Sequence, residues 1–279
     1  MPPSSPLLVE LCAGSAALST AWVAGDVTPP PVLYPYMGGK RRFARELLGL
    51  LDLPLFAWPS LLLVDAGTTA DTLAAIADRE LRARVLEHVG RWERKGRDLW
   101  EGLASGSVPH DPAHRAAVHL ALQVAAPLGR PIDHDGRTWT TPGYATVSPA
   151  GRARGFSERL TKETVARRVL EVGQAFDRCV SVRVVRARAE DVPVEPARAV
   201  YIDPPYVGVT GYRHELRRAE VVRLALAWAE VAEVVGVSEH EAIPELVAQG
   251  WRAVELRGGD DLREGQTRGE VLTLWRRPR

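Results

Sequence analysis

The sequence predicts an α/β fold with a mainly parallel sheet, on three observations. Short apolar runs at Leu7–Leu11, Leu61–Asp65 and Ala199–Asp203 each stop at a turn of small residues or prolines. Stretches with helical spacing separate these runs, the alternation that packs helices on both faces of a sheet. The chain ends on a helix (Glu241–Gln249) and two strands (Trp251–Leu256 and Glu270–Trp275), which suits an antiparallel hairpin at a sheet edge.

Each element follows from local chemistry. Leu7–Leu11 is an apolar strand that ends at Cys12-Ala13-Gly14-Ser15, and Ala16–Val23 suits a helix. In Thr28–Arg42 three consecutive prolines forbid helix, and Gly38-Gly39 make a turn before a helix from about Lys40 to Leu51. Leu61–Asp65 is a second buried strand, and Thr72–Leu103 reads as helix with a charged outer face. His114–Ala126 is another helix. Gly129–Phe156 has no apolar periodicity, and a loop of that length inside a folded domain is usually functional or disordered. Thr161–Phe176 returns to helix. Val180–Val185, Ala199–Asp203 and Val234–Ser238 are strands, with Ala219–Val231 helical between the last two. The reading is one catalytic-type domain over residues 1–100 and 157–279, with residues 101–156 inserted as a helical and irregular region.

Composition narrows the function. The 279 residues are 46% hydrophobic and 25% charged, which excludes a disordered chain. A formal net charge of +1 excludes a uniformly basic nucleic-acid coat but leaves room for a local basic patch. Two cysteines, Cys12 and Cys179, exclude a disulfide scaffold and a cysteine-rich zinc site. His110, His114 and His119 do not offer metal spacing on one helix face, so no metal is expected. No run approaches the roughly 18 apolar residues of a membrane span. The expectation is a soluble, cytoplasmic protein without a membrane partner.

The sharpest motif is Asp203-Pro204-Pro205-Tyr206, directly after the strand AVYI. Two prolines fix two φ angles and remove two N–H donors. A carboxylate, a free carbonyl and an aromatic face together suit a planar group bearing an NH₂. Alone, the same residues also read as a Pro-Pro turn capped by Asp. The second motif is VELCAGSAALS (Val9–Ser19). A small-residue turn between strand and helix brings backbone close to a ligand, and Glu10 offers an acceptor. It lacks the G-x-G-x-x-G of a dinucleotide site. The third is Tyr34–Arg42, where Gly38-Gly39 deliver Lys40 at a helix start, suited to a carboxylate-bearing ligand. His240 and Glu241 fall at a predicted strand end, lining the same pocket or capping the strand.

Together these motifs resemble the D12-class, Dam-like adenine-N6 DNA methyltransferases. DPPY at Asp203–Tyr206 resembles that family's catalytic motif, YMGGK at Tyr36–Lys40 its N-terminal cofactor motif, and VELCAGSAAL its glycine-rich S-adenosylmethionine motif. TGY (Thr210–Tyr212), VVGVSEHE (Val234–Glu241) and the ending EVLTLWRR continue the likeness, which covers about half the chain. The resemblance implies a Rossmann-like class I methyltransferase fold, S-adenosylmethionine as cofactor and double-stranded DNA as partner. It makes Asp203, Pro204, Pro205 and Tyr206 catalytic. It gives cofactor contacts to Glu10, Cys12, Gly14, Ser15, Tyr36, Gly38, Gly39, Lys40, Asp65 and Asp191; the last stands twelve residues before Asp203, where an acidic residue usually meets the cofactor adenine. A partner restriction endonuclease is left open.

The chain departs from the family in two places. VELCAGS precedes YMGGK, the reverse of the usual order. Either Val9–Ser19 is the cofactor loop, with Asp65 on the ribose, or LLLVDAGTTA (Leu61–Ala70) is that loop in family order; the first fits its residues better. The family's target-recognition signature is also not evident. In its place, Leu128–Phe156 carries Arg130, Arg137, Arg152 and Arg154 with Trp139 and Tyr144 between them. Arginines on phosphates with interleaved aromatics suit a DNA-facing loop; locally paired arginines on a solvated loop are the plain alternative. Arg130, Arg137, Trp139, Arg152, Arg154 and Tyr212 are the DNA-contact candidates.

The expected reaction is methylation of adenine N6 in DNA. The target base is flipped out. Asp203 and the Pro204 carbonyl hold both amine hydrogens, Tyr206 stacks on the ring, and the nitrogen attacks the sulfonium methyl group in line. The competing readings are the same fold acting on another amine (cytosine N4, RNA or a small molecule) and a non-catalytic DNA-binding protein.

Overall fold

Parallel strands buried on both faces need near-continuous apolar runs, and the central runs of this chain have them. The computed structural model describes residues 7–12, 43–53, 59–126, 131–141, 160–205, 216–256 and 270–278. In chain order these form β1 (Leu7–Leu11), α1 (Ala44–Leu50), β2 (Ser60–Asp65), α2 (Thr68–Ala77), α3 (Arg79–Gly90), α4 (Gly96–Ala104), α5 (Pro112–Val124), the short pair β3 (Asp133–His134) and β4 (Trp139–Thr140), and α6 (Lys162–Phe176). There follow β5 (Ser181–Arg186), a 3-10 turn at Ala189–Asp191, β6 (Ala197–Ile202), α7 (Arg218–Val231), β7 (Ala232–Glu239), a single turn α8 (Pro244–Val247), β8 (Arg252–Leu256) and β9 (Glu270–Arg276).

Seven strands form one sheet in the order β5-β2-β1-β6-β7-β9-β8. The first five are parallel, and β9 runs antiparallel to both β7 and β8. The α/β class, the mainly parallel sheet and the C-terminal antiparallel hairpin are therefore as the sequence predicts. In β1, Leu11 lies opposite Val64 of β2 and Ile202 of β6. The chain leaves β1 toward β2 on one side and reaches β6 on the other, so the strand order reverses there. In open α/β sheets the crevice at such a reversal, beyond the carboxyl ends, is where ligands bind.

Alternation along the strands divides the core. Leu8, Leu61, Leu63 and Tyr201 face the layer of α1–α6, while Val9, Leu11, Val64, Val200 and Ile202 face α7, where Trp228 is fully buried.

Three expectations are revised. The single helix expected over Thr72–Leu103 is three helices. Asp78 adopts an extended conformation and its carboxylate accepts from the Leu81 amide at 2.9 Å, starting α3 afresh; Gly96, at φ 56°, opens α4. The helix expected over Glu241–Gln249 shrinks to α8, because Pro244 disfavours helix in the residue before it. The region expected to be irregular contains the β3–β4 hairpin. The division expected at residues 100 and 101 falls inside α4, and Ala116, Ala117, Leu120 and Ala121 of α5 are buried in the larger core. The helix expected at Ala16–Val23 lies outside the described residues.

Candidate functional site

The site is built at the carboxyl edge of β1, β2, β6 and β7. The Asp203 amide donates to the Leu11 carbonyl at 3.2 Å, which ties the start of the Asp-Pro-Pro turn to the end of β1. Asp203 and Pro205 are half-buried and Pro204 is buried. The next residue along β1 is Cys12, half-buried at φ 59°, a left-handed conformation that costs a side-chain-bearing residue about 1–2 kcal/mol. Burial pushes the Cys12 thiol well up, and the charges of Asp65, Asp203 and Glu190 push it further. The charges of all three carboxylates thus reach the thiol at the strand reversal.

Asp65 is the last residue of β2. Its Oδ1 accepts from the Gly67 amide at 2.7 Å, and its carbonyl accepts from the Ala187 amide at 3.2 Å. The first bond fixes the carboxylate at the mouth of the β2–α2 turn. A methyl group on Gly67 would stand 3.3 Å from Asp65 Oδ1, so the glycine keeps that carboxylate uncrowded.

Glu10 lies one residue back on β1, opposite Leu63 and Tyr201. It is 4% exposed. The Tyr201 hydroxyl lies 2.7 Å from Ser238 Oγ on β7. Burial raises the Tyr201 phenol well above its ordinary value, and the fields of Asp203, Glu270 and Glu10 act in the same direction. Because β9 is antiparallel, its first residue, Glu270, stands at this same edge beside the end of β7. Glu239, the last residue of β7, is 3% exposed, and burial holds its carboxyl above the ordinary range.

The structure therefore brings Glu10, Cys12, Asp65, Asp203, Pro204 and Pro205 to one edge. Asp191 lies on the 3-10 turn after β5 and is exposed; its neighbour Glu190, paired with Arg188, is the residue that acts on Cys12. Gly14, Ser15, Tyr36, Gly38, Gly39, Lys40, Tyr206, Tyr212, Arg130, Arg152 and Arg154 lie outside the described residues. Glu190, Glu239 and Glu270 were not candidates from the sequence. Glu239 and Glu270 were signalled only by position, as the last residue of β7 and the first of β9, and Glu190 only by standing beside Asp191.

The described part of the loop expected to face DNA is the β3–β4 hairpin, and its residues divide between core and surface. Trp139 is 7% exposed, with its ring centroid 6.2 Å from that of His119 and edge-on to His134 at 5.3 Å. It belongs to the core, and that burial overturns its expected role as a surface stacking platform. The hairpin is anchored by Asp133, whose Oδ1 accepts from Thr68 Oγ1 at 2.5 Å, and by the Ile132 amide, which donates to Gln123 Oε1 at 2.8 Å. Thr68 starts α2, three residues after Asp65 at the end of β2, so the hairpin is tied to the turn that carries Asp65. At the tip, Arg137 is exposed. Asp135 accepts from the amides of Arg137 and Thr138 at 2.8 and 2.7 Å, which lowers its carboxyl to about 2.

Chemically, an edge lined by carboxylates and carbonyls accepts hydrogen bonds and attracts positive charge. It suits hydroxyls, amines and a cationic ligand. Among the described residues no group of three or more His, Cys, Asp or Glu is arranged to hold a metal ion, and no helix is long and apolar enough to cross a membrane. Comparison with known families and with characterised proteins finds no match to this chain.

Proposed function

We propose that this chain is a site-specific DNA methyltransferase that transfers the methyl group of S-adenosylmethionine to adenine N6. The observation that carries the reading is the Asp203–Leu11 bond. It sets a rigid Asp-Pro-Pro turn at the strand reversal, where the charges of Asp203 and Asp65 both reach Cys12. The five parallel strands with a terminal antiparallel hairpin agree with the fold that the resemblance implies.

The residues present fit the cofactor. Asp65, fixed by the Gly67 amide, would hold ribose hydroxyls, and the carboxylate-rich edge suits a positively charged sulfonium. Glu10 and Glu190 add acceptors on either side. The central place of β1 supports the reading in which VELCAGS opens the cofactor loop and Asp65 ends the neighbouring strand. S-adenosylmethionine, when bound, supplies an activated methyl group.

The acceptor side follows from Asp203 and Pro204. An aromatic amine is a poor nucleophile because its lone pair is delocalised into the ring. Asp203 and the Pro204 carbonyl accept its two hydrogens, which draws the nitrogen toward a pyramidal shape and points its lone pair away from both. Orientation and fixed dipoles carry most of such catalysis. A base inside a duplex cannot reach this edge, so the target leaves the stack at a cost of a few kcal/mol. The exposed Arg137 at the hairpin tip is placed to meet a phosphate.

The test is to incubate the purified chain with unmethylated duplex DNA and methyl-labelled S-adenosylmethionine and to identify the labelled nucleoside by mass spectrometry. N6-methyladenine is the expected product. A different labelled nucleoside moves the acceptor, and loss of both transfer and cofactor binding overturns the reading.

A further inference from the structure

Tyr201 of β6 and Ser238 of β7 are both fully buried, and their hydroxyl oxygens lie 2.7 Å apart. Each hydroxyl carries one hydrogen, and the bond between them uses one of the two. The phenol is the stronger acid, so Tyr201 donates and Ser238 accepts. The serine hydrogen is then left over, and neither hydroxyl makes a second hydrogen bond among the described residues. A buried donor without an acceptor is costly and calls for a partner. The phenol itself is held in place. It faces Gly236 across the strand pair, where an added methyl group would stand 3.0 Å from Leu272 Cδ1 and 3.1 Å from Leu51 Cδ2. Those two leucines pack against bare backbone in the same core layer as Tyr201.

Register decides which acceptor is in reach. Val237 of β7 pairs with Ile202 of β6 in parallel. The residues that follow are Ser238 and Asp203, and the Asp203 amide still holds the ladder by donating to the Leu11 carbonyl at 3.2 Å. Side chains alternate along a strand, so Asp203 lies on the face of Tyr201. The Tyr201–Ser238 bond puts Ser238 on that face too. Neighbouring strands run about 4.8 Å apart, which sets the serine hydroxyl beside the aspartate carboxylate. On its other flank Ser238 pairs with Leu272, whose side chain offers no acceptor. Glu10 is the cross-strand neighbour of Tyr201 and not of Ser238.

We infer that Ser238 is a positioning residue: its hydroxyl, oriented by Tyr201, donates to the Asp203 carboxylate and fixes the oxygen that faces the acceptor amine. The inference rests on the methyl-transfer reading. An ionised carboxylate accepts at about four lone-pair sites, so it takes the serine hydrogen on one side and an amine hydrogen on the other. A hydroxyl bound to a carboxylate makes a short, charge-assisted bond, and that bond stops the carboxylate from turning out of line with the amine. Such bonds tighten when substrate is bound. Ser238 touches neither the base nor the cofactor in this arrangement. It acts through Asp203, and Tyr201 acts through Ser238.

Four proteins decide it: the unchanged chain, Ser238→Ala, Tyr201→Phe and the double variant, each with unmethylated plasmid DNA and labelled S-adenosylmethionine. Calorimetric titration with S-adenosylmethionine counts the folded, binding-competent molecules, and rates are expressed per competent molecule. Ser238→Ala lowers kcat about tenfold, the worth of one hydrogen bond to a charged group. Its KM for S-adenosylmethionine stays within about twofold of the unchanged chain. Tyr201→Phe keeps the ring, removes the oxygen that orients the serine, and lowers kcat by a smaller factor. The double variant is no slower than Ser238→Ala, because the phenol acts only through the serine. A purely structural pair would cost stability and leave kcat per competent molecule unchanged, and that result overturns the inference. So does a loss confined to the KM for S-adenosylmethionine, or a double variant slowed by the product of the two single factors. If the unchanged chain labels no nucleoside, the methyl-transfer reading fails and this inference falls with it.

Discussion

The His119 Nδ1 lies 2.8 Å from Thr72 Oγ1, in the buried interior between α5 and α2. The Nε2 of the same ring lies 3.1 Å from the Ile132 carbonyl. A carbonyl only accepts, so Nε2 carries the hydrogen and Nδ1 accepts from the threonine hydroxyl. One neutral imidazole thus ties two helices to the segment that begins the β3–β4 hairpin. Its substitution by Ala leaves a cavity and two unmatched groups, and is expected to cost about 2–4 kcal/mol of stability in urea unfolding.

The same ring sets a pH dependence. Burial pushes the His119 imidazole down to about 4. The unfolded chain therefore binds more protons than the folded one between that value and the ordinary value of about 6.5. Stability from this group is complete above about pH 6.5 and is lost as pH falls toward 4, a swing on the order of 3 kcal/mol. Unfolding midpoints of the unchanged protein and His119→Gln, compared from pH 7.5 to 4.5, should converge at the acid end.

Asp203→Ala and Asp203→Asn are both expected to lower methyl transfer by at least about 100-fold, since neither offers a carboxylate to the amine. Cofactor affinity, measured by calorimetry, should change far less, because Asp65 and the end of β1 remain. Equal loss of both quantities would place Asp203 on the cofactor instead.

The thiols should be inert. Burial raises the Cys179 thiol to about 12, and burial with three nearby carboxylates raises that of Cys12. At pH 8 both stay protonated, and the thiolate is the reactive form. An aromatic disulfide reagent should therefore react slowly with the folded protein and titrate two thiols after denaturation. Cys12→Gly should be tolerated at φ 59°, whereas Cys12→Val, β-branched in that conformation, should lower the melting temperature.

Gly173 in α6 offers a test of packing against propensity. Alanine in a helix is favoured over glycine by about 1 kcal/mol. Here its methyl group would stand 2.4 Å from Arg82 Cδ and 2.7 Å from Arg82 Nε. Arg82 cannot yield freely, since it donates to Asp177 at 2.7 Å and to the Ile76 carbonyl at 3.0 Å. Gly173→Ala is expected to be destabilising by about 1–3 kcal/mol, the usual range for overpacking. Pairing it with Arg82→Ala should recover the helix-propensity gain.

The sheet was readable in advance because its strands announce themselves locally. LLVEL, SLLLVD and ARAVYI are short apolar runs that stop at turn residues, and Asp65 and Asp203 stand where those runs end. Burial of charge was not readable. Glu239 and Glu270 resemble ordinary surface carboxylates until β7 and β9 are paired antiparallel, a contact set by residues about thirty positions apart. Trp139 misled for the same reason. Among arginines and glycines it reads as exposed, and only docking of the hairpin on His119 buries it. The breaks at Asp78 and Pro244 were legible as cap and proline chemistry, but helical spacing across them masked the interruption.

The strand order also has a consequence for synthesis. The central strand β1 is made first, yet one of its two neighbours, β6, begins at Ala197, and Glu270 arrives only with β9. Every partner that closes the acidic edge is separated from β1 by a long stretch of chain, the arrangement that slows folding most. A nascent chain that has emerged only to the end of β2 holds Cys12 and Asp65 without Asp203. The edge is first complete when β9 has left the ribosome, so a chain stopped short of β9 carries no finished site.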